Sequence, residues 1–333
     1  VTKLLSGDPT WRNLTALDFH YQTQPLPNVV SWYAHHLPGW FQQLSIVLMF
    51  AIEIVVPFLL LVPGRARRIA CGLLVFLQLL IAATGNYGFF NLVAIVLCLS
   101  LLDDAVLLRW LPRRYRERAD AWSLSRPRAR RRDFAVLVPV CWIAMLSGVV
   151  TLEGMIRSQG AVPIGVMLTL DSLDRRVVQP VRRRVLSHVE GFHTINSYGL
   201  FRTMTTARPE IVLEASRDGR QWVEYRFRYK ARNVDAPPTW SQPHMPRLDW
   251  QLWFAALHPP SHEYWLGQLG TRLLEGSPEV TGLLGPPPFG RDPPRYIRIV
   301  RYRYQFTTPD EKRRTGAWWK RDMREIVGVM RSE

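Results

Sequence analysis

Four apolar runs interrupt an otherwise polar chain, and all of them lie between residues 42 and 152. The first extends from about Leu44 to Val62 and stops at Pro63-Gly64. The second covers about Ile69 to Thr84, the third about Phe89 to Leu102, and the fourth about Phe134 to Leu152. Runs of this purity predict about four transmembrane helices. The second and third are short, which calls for tilt or partial shielding by protein. From about residue 155 onward no run is long enough to cross a bilayer, and strand-like alternation takes over.

Within that polar region, Ile211 to Ser216 and Gln221 to Tyr229 flank Asp218-Gly219, a turn signal, and read as two paired strands. Arg295 to Phe306 alternates almost without a break and predicts a long strand with one buried face. Arg247 to Leu257 carries Leu248, Leu252, Ala255 and Ala256 at helical spacing, widened by Trp250, Trp253 and Phe254. A second helix is expected from about Glu263 to Leu274, ahead of Gly276-Ser277-Pro278. Arg247, Asp249 and Glu275 are candidates for a charge network. Arg313 to Arg324, with Trp318-Trp319 amid basic residues, reads as an amphipathic surface helix or a frayed terminus. The expected fold class is an α-helical integral membrane bundle followed by a mostly β, jelly-roll-like sandwich with inserted helices. The expected divisions are 1–41 at the interface, 42–153 in the membrane and 154–333 outside the cytoplasm.

Charge sets the orientation. The loop Arg65-Ala66-Arg67-Arg68 is basic, Gly85-Asn86-Tyr87-Gly88 is uncharged, and ten arginines fall between Arg109 and Arg132. Basic loops stay on the cytoplasmic side, so the first and third loops are expected inside. The segment before residue 42, the second loop and everything after residue 152 are then expected outside. The net charge of +16 first suggests nucleic acid, but much of it belongs to these loops and to solvated strand faces, and no nucleic-acid motif accompanies it. Nucleic acid is therefore not an expected partner; the lipid bilayer is.

Lysine occurs only at Lys3, Lys230, Lys312 and Lys320, while arginine is abundant. That bias fits a GC-rich bacterium and its cytoplasmic membrane. Cys71, Cys98 and Cys141 all lie in apolar runs, where cysteine serves as a small hydrophobe. No zinc spacing occurs, and neither metal nor cofactor is expected. Adjacent His35 and His36 point apart on helix or strand and do not favour one shared metal. Glu53 lies mid-span, where a charge costs roughly 2.5–3.5 kcal/mol, so it is expected to be protonated, paired or turned into the bundle. Pro57, four residues later, cannot donate to the Glu53 carbonyl and predicts a kink. A structural and a functional role for Glu53 both stand.

Several long words of the sequence resemble signatures of the lipase maturation factor family. They are Trp11 to Pro27 (WRNLTALDFHYQTQPLP), Ser31 to Pro38 (SWYAHHLP) and Thr84 to Asn91 (TGNYGFFN). Asn196 to Phe201 (NSYGLF), Met204 to Glu210 (MTTARPE), Arg247 to Ala256 (RLDWQLWFAA) and Arg272 to Glu279 (RLLEGSPE) continue the set. Animal members of that family reside in the endoplasmic reticulum membrane and help secreted dimeric lipases reach their active assembled form. The family is distantly similar to the membrane domain of vitamin K-dependent carboxylase, and it usually has further membrane helices before the first motif, so this chain is expected to be amino-terminally short.

The resemblance implies a family-motif or client surface drawn from Trp11, Arg12, Asn13, Asp18, His20, Tyr21, Trp32, His35 and His36. Asn86, Tyr87, Asn91, Asn196, Tyr198, Arg208 and Glu210 add to it, with Arg247, Asp249, Trp250, Trp253 and Glu275. Three functions stay open. The first is a maturation or folding factor for secreted proteins such as lipases, which is more an assembly role than an enzymatic one. The second is a membrane enzyme using Glu53, Asp18, His20, His35 and His36 as acid–base groups. The third is a membrane-anchored module for glycans or lipids.

Overall fold

A computed structural model describes residues 2–62, 64–110, 112–117, 140–151, short stretches between 168 and 191, 201–231, 233–290 and 292–332. The chain divides into two compact units: Val1–Leu14 with Leu102–Met204, and Thr15–Leu101 with Thr205–Glu333.

The second unit holds two long apolar helices and the sheet. Helix Gly39–Leu59 is 21 residues long and Arg65–Thr84 is 20, and both are long and apolar enough to cross a bilayer. At 1.5 Å per residue each rises about 30 Å, the thickness of the hydrocarbon layer. Phe90–Leu99 is apolar but only ten residues long. The first helix breaks at Val55, between Gly39–Ile54 and Val56–Leu59. Pro57 accounts for the break, because it supplies no N–H to the preceding turn. Asn91 crosses from the third helix to donate to Gln78 Oε1 of the second at 2.9 Å.

Four strands form one antiparallel sheet in the order β2-β1-β3-β4. β1 is Arg208–Ser216, β2 Val223–Glu224, β3 Tyr296–Phe306 and β4 Trp319–Arg331. Alternation along β1 and β3 sends Ile211, Leu213, Ala215, Ile297 and Ile299 into one apolar core. Leu248, Leu252, Ala255 and Ala256 of helix Arg247–Leu257 and Leu266, Leu269 and Leu273 of helix Glu263–Leu274 fill the other side of that core. Helices therefore cover this face of the sheet. A second sheet is not found among the described residues.

Two sequence expectations need correction. The segment after Trp222 pairs as a strand only at Val223–Glu224. Beyond it, Arg226 O accepts from Gly285 N, and the Asp249 carboxylate accepts from Tyr229 N and Lys230 N. These partners replace a strand ladder. Arg313 to Arg324 is neither an amphipathic surface helix nor frayed. A capped helix, Pro309–Thr315, ends at Gly316, and β4 follows. Trp319 is buried against Tyr304 and Phe306, which a surface helix would not allow.

The first unit contains the short helix Pro9–Arg12, capped by Asp8, and the apolar helix Val140–Thr151. Trp11 Nε1 donates to Phe201 O at 3.0 Å, and Asp8 also accepts from Met204 N. Part of the expected fourth span, and both Asn196 and Tyr198, lie outside the described residues.

Two glycines of the loop after Thr84 are required by geometry. Gly88 has φ +62, and a Cβ there would stand 2.9 Å from Met245 Cβ. A Cβ on Gly85 would stand 2.1 Å from Gln24 Oε1 and 2.6 Å from Tyr87 Cε2. Gly88→Ala is expected to cost about 1–2 kcal/mol through its left-handed backbone. Gly85→Ala should cost more, because Gln24 is held by several hydrogen bonds and cannot withdraw. Thermal unfolding in detergent checks both; unchanged midpoints would contradict the close approach.

Candidate functional site

The family-like words meet at a strap of chain, Thr23 to Asn28, in which every residue is buried. Pro25 and Pro27 keep the strap extended and remove two N–H donors. The carbonyls from Thr23 to Leu26 find no partners in helix or sheet, and a buried carbonyl left unpaired costs roughly 1–3 kcal/mol. Side chains from three distant segments satisfy them. Trp253 Nε1 donates to Thr23 O at 3.0 Å. Arg208 donates to Gln22 O at 2.8 Å, to Gln24 O, and to Pro25 O at 3.1 Å. Asn86 donates to Leu26 O through both its backbone N and its Nδ2, each at 3.1 Å.

The other side of the strap finishes the second membrane helix. The last carbonyls of a helix have no partner within it. Here Gln24 Nε2 and Ser31 Oγ both donate to Thr84 O at 2.7 Å, and Asn28 Nδ2 donates to Ala83 O at 3.1 Å. Gln242 Nε2 bonds Gly85 O. Tyr87 OH donates to Gln24 Oε1 at 2.8 Å and lies 3.1 Å from His20 Nε2. Burial raises the Tyr87 pKa far above the ordinary phenol value, so Tyr87 stays a donor. Asn86 also donates to Thr239 O at 2.7 Å and accepts from Ser241 N at 2.9 Å. The membrane hairpin, the strap and the sheet domain thus share one hydrogen-bond network.

Four charges anchor it to the sheet. Arg208 and Glu210 are fully buried neighbours on β1, with Arg208 Nη2 bonded to Glu210 Oε1. Lys230 Nζ lies 2.9 Å from Glu210 Oε2 and donates to Ile211 O at 2.6 Å. Asp249 accepts from Lys230 N at 2.8 Å. Burial lowers the Arg208 pKa, opposed by Glu210, and burial raises that of Asp249. Two cations and two acids compensate one another, as buried charge requires. The guanidinium also stands 5.3 Å from the Trp319 ring centroid.

Many sequence-selected residues converge here: His20, Asn86, Tyr87, Arg208, Glu210, Asp249, Trp250 and Trp253. Tyr21 is half-buried in helix Ala16–Thr23, with its pKa raised by burial, and Asp18 is exposed on the same helix. Trp32 is buried against Trp318, 5.6 Å away. Trp11 is buried in the first unit, with Arg12 and Asn13 exposed beside it. The proposed trio of Arg247, Asp249 and Glu275 does not assemble. Asp249 turns to the 229–230 backbone, Glu275 pairs with Arg272 at 2.8 Å, and Arg247 is exposed.

Apart from the chain neighbours His35 and His36, whose rings meet edge to face at 5.1 Å, the acid–base candidates each turn to a different partner. His20 faces Tyr87, and His36 Nδ1 bonds Trp32 O at 2.7 Å. Glu53 is exposed fourteen residues beyond Gly39, roughly 21 Å along the helix. Among the described residues no group of three His, Cys, Asp or Glu is placed to hold a metal. Sequence reasoning missed Gln24, Asn28 and Lys230. No local pattern marked them, because their partners come from distant segments.

Glu210→Gln leaves two buried cations undercompensated and is expected to cost about 3–5 kcal/mol in detergent unfolding. Arg208→Lys should approach that loss, since one ammonium cannot reach four acceptors on separate segments. Near-native midpoints would refute the joint. His35 adds a pH dependence. It is packed 5.5 Å from Phe306, and burial, with the neighbouring His36, lowers its pKa to about 4 from 6.5. Between those values the unfolded chain holds a proton that the folded chain does not. Stability should therefore fall as pH drops from 6.5 toward 4 and level off below, by at most about 3 kcal/mol. His35→Gln should flatten that part of the stability curve; an unchanged slope would place the effect elsewhere.

Residues 1–109 match the family model of the lipase maturation factor transmembrane domain, and residues 194–328 match that of the lipase maturation factor C-terminal domain. The chain is 38% identical to lipase maturation factor 2 of Homo sapiens across 96% of this chain and 56% of that protein. It is 36% identical to lipase maturation factor 2 of Xenopus laevis, across 96% and 57%. With lipase maturation factor 1 of Homo sapiens it shares 33% identity, across 95% and 55%. It thus spans a little over half the length of the curated relatives it matches. No solved structure matches it. The two family models and the near-complete alignments show that the chain belongs to the lipase maturation factor family, with the membrane domain at its amino-terminal end.

Proposed function

We propose that this chain is a membrane-bound maturation factor that helps secreted lipases reach their active assembled form. The observation that carries the reading is the joint, in which family-like words lock a sheet domain to the end of a membrane hairpin. A platform with fixed orientation loses less entropy on meeting a client than a tethered one. The names of the relatives supply the client class.

In this reading the joint lies outside the cytoplasm, where secreted clients pass. The basic stretch Arg65-Ala66-Arg67-Arg68 begins the second membrane helix, whose other end, Thr84, enters the joint. The ten arginines between Arg109 and Arg132 favour the same inner side. Phe90–Leu99 and Val140–Thr151 serve as parts of a third and a fourth span. Residues 1–41 belong to the interface, 42–153 to the membrane and 154–333 to the outer domain. A jelly-roll closure of that domain would form on the sheet face that the helices leave uncovered. The membrane is the cytoplasmic one in a bacterium and that of the endoplasmic reticulum in a eukaryote.

The test is lipase output. Cells secreting a dimeric lipase are expected to release several-fold more activity per lipase molecule when the full chain is co-expressed. Glu210→Gln should abolish the gain while the protein still inserts in the membrane. Equal specific activity with and without the chain would overturn the reading.

A further inference from the structure

The joint places exposed aromatic rings where the membrane helices emerge. The second membrane helix is 20 residues long and rises about 30 Å, so its end at Thr84 lies at the edge of the hydrocarbon layer. The loop that follows occupies the headgroup level. Phe89 and Phe90 stack there at 4.7 Å between centroids, 50% and 53% exposed. The sheet domain adds its own rings at this level. Trp240 is 50% exposed, and both of its chain neighbours bond the Asn86 side chain, two residues beyond the helix end. The distance from Thr239 O to Asn86 Nδ2 is 2.7 Å and from Ser241 N to Asn86 Oδ1 2.9 Å, which fixes the height of Trp240 to that of the loop. Met245 packs on Gly88. Trp250 stands 6.3 Å from Tyr87, and Phe254, one helical turn on, is 41% exposed.

Trp carries an apolar ring and one N–H, which suits the boundary between acyl chains and headgroups. A half-exposed Trp fixed at that height by two hydrogen bonds meets lipid before it meets bulk water. We infer that Trp240, with Phe89, Phe90 and Phe254, forms an aromatic collar embedded in the lipid headgroup layer, so that the sheet domain is seated in the bilayer surface. The collar adds a lipid contact to the joint, and it holds whatever client the outer surface receives.

Photo-crosslinking in phosphatidylcholine vesicles tests this with the full chain. p-Benzoylphenylalanine replaces one residue at a time: Trp240, Phe76 as a mid-span reference, and Arg220 in the turn between β1 and β2. The probe changes only exposed side chains, so folding is preserved. Position 240 is expected to give lipid adducts at a yield within about threefold of position 76, with position 220 at least tenfold lower. Loss of lipid adducts at 240 while 76 still labels would overturn the collar. Adducts at 240 only to protein, or equal lipid labelling at 220, would overturn it as well.

Discussion

A buried strand of backbone that makes no regular hydrogen bonds is the constraint around which this protein is built. Beyond Thr23, where helix Ala16–Thr23 ends, the strap to Asn28 is neither helix nor sheet, yet it is buried throughout. The carbonyls of Thr23, Gln24, Pro25 and Leu26 take donors brought from elsewhere in the chain. Arg208 meets three acceptors at once because a planar guanidinium presents a fixed fan of N–H groups. Once Arg208 is committed there, Glu210 must accompany it, and Lys230 must then balance Glu210. The charged cluster is a consequence of the strap.

The same network settles how polar domain and membrane hairpin relate. A helix that ends at the hydrocarbon boundary exposes its last carbonyls where water is scarce. Gln24, Asn28, Ser31 and Gln242 supply the missing donors from protein. The cap of the membrane helix and the anchor of the sheet are therefore one structure, and Gly85 and Gly88 allow the close approach it needs. Such a body ties the orientation of the sheet to that of the long apolar helix it caps.

The sheet domain is packed by ordinary means. Alternation along β1 and β3 separates an apolar face from a face of cross-strand ion pairs, such as Arg298 with Glu214 and Arg321 with Glu224. Two amphipathic helices cover the apolar face. The larger energies lie in the joint, where charge and polar backbone are both buried and each loss of a partner leaves another group stranded.

Much of this was legible in the residues. Apolar runs marked the first two membrane helices to within a few residues, because burial in lipid tolerates few other patterns. Alternation marked β3, helical spacing marked Arg247–Leu257 and Glu263–Leu274, and Pro57 marked the break in the first span. These are local signals, written by one face of one element. The strap's partners were not legible, since Arg208 lies more than 180 residues from the carbonyls it serves. The early end of β2 and the turning of Asp249 toward residues 229 and 230 were equally hidden. Each depends on which donors the fold delivers to a backbone group, and sequence spacing does not carry that information. The residues thus marked the two long apolar helices, β1, β3 and the family; tertiary structure alone decided that residues 319–331 form the edge strand β4 and that the family's scattered polar residues form a single joint.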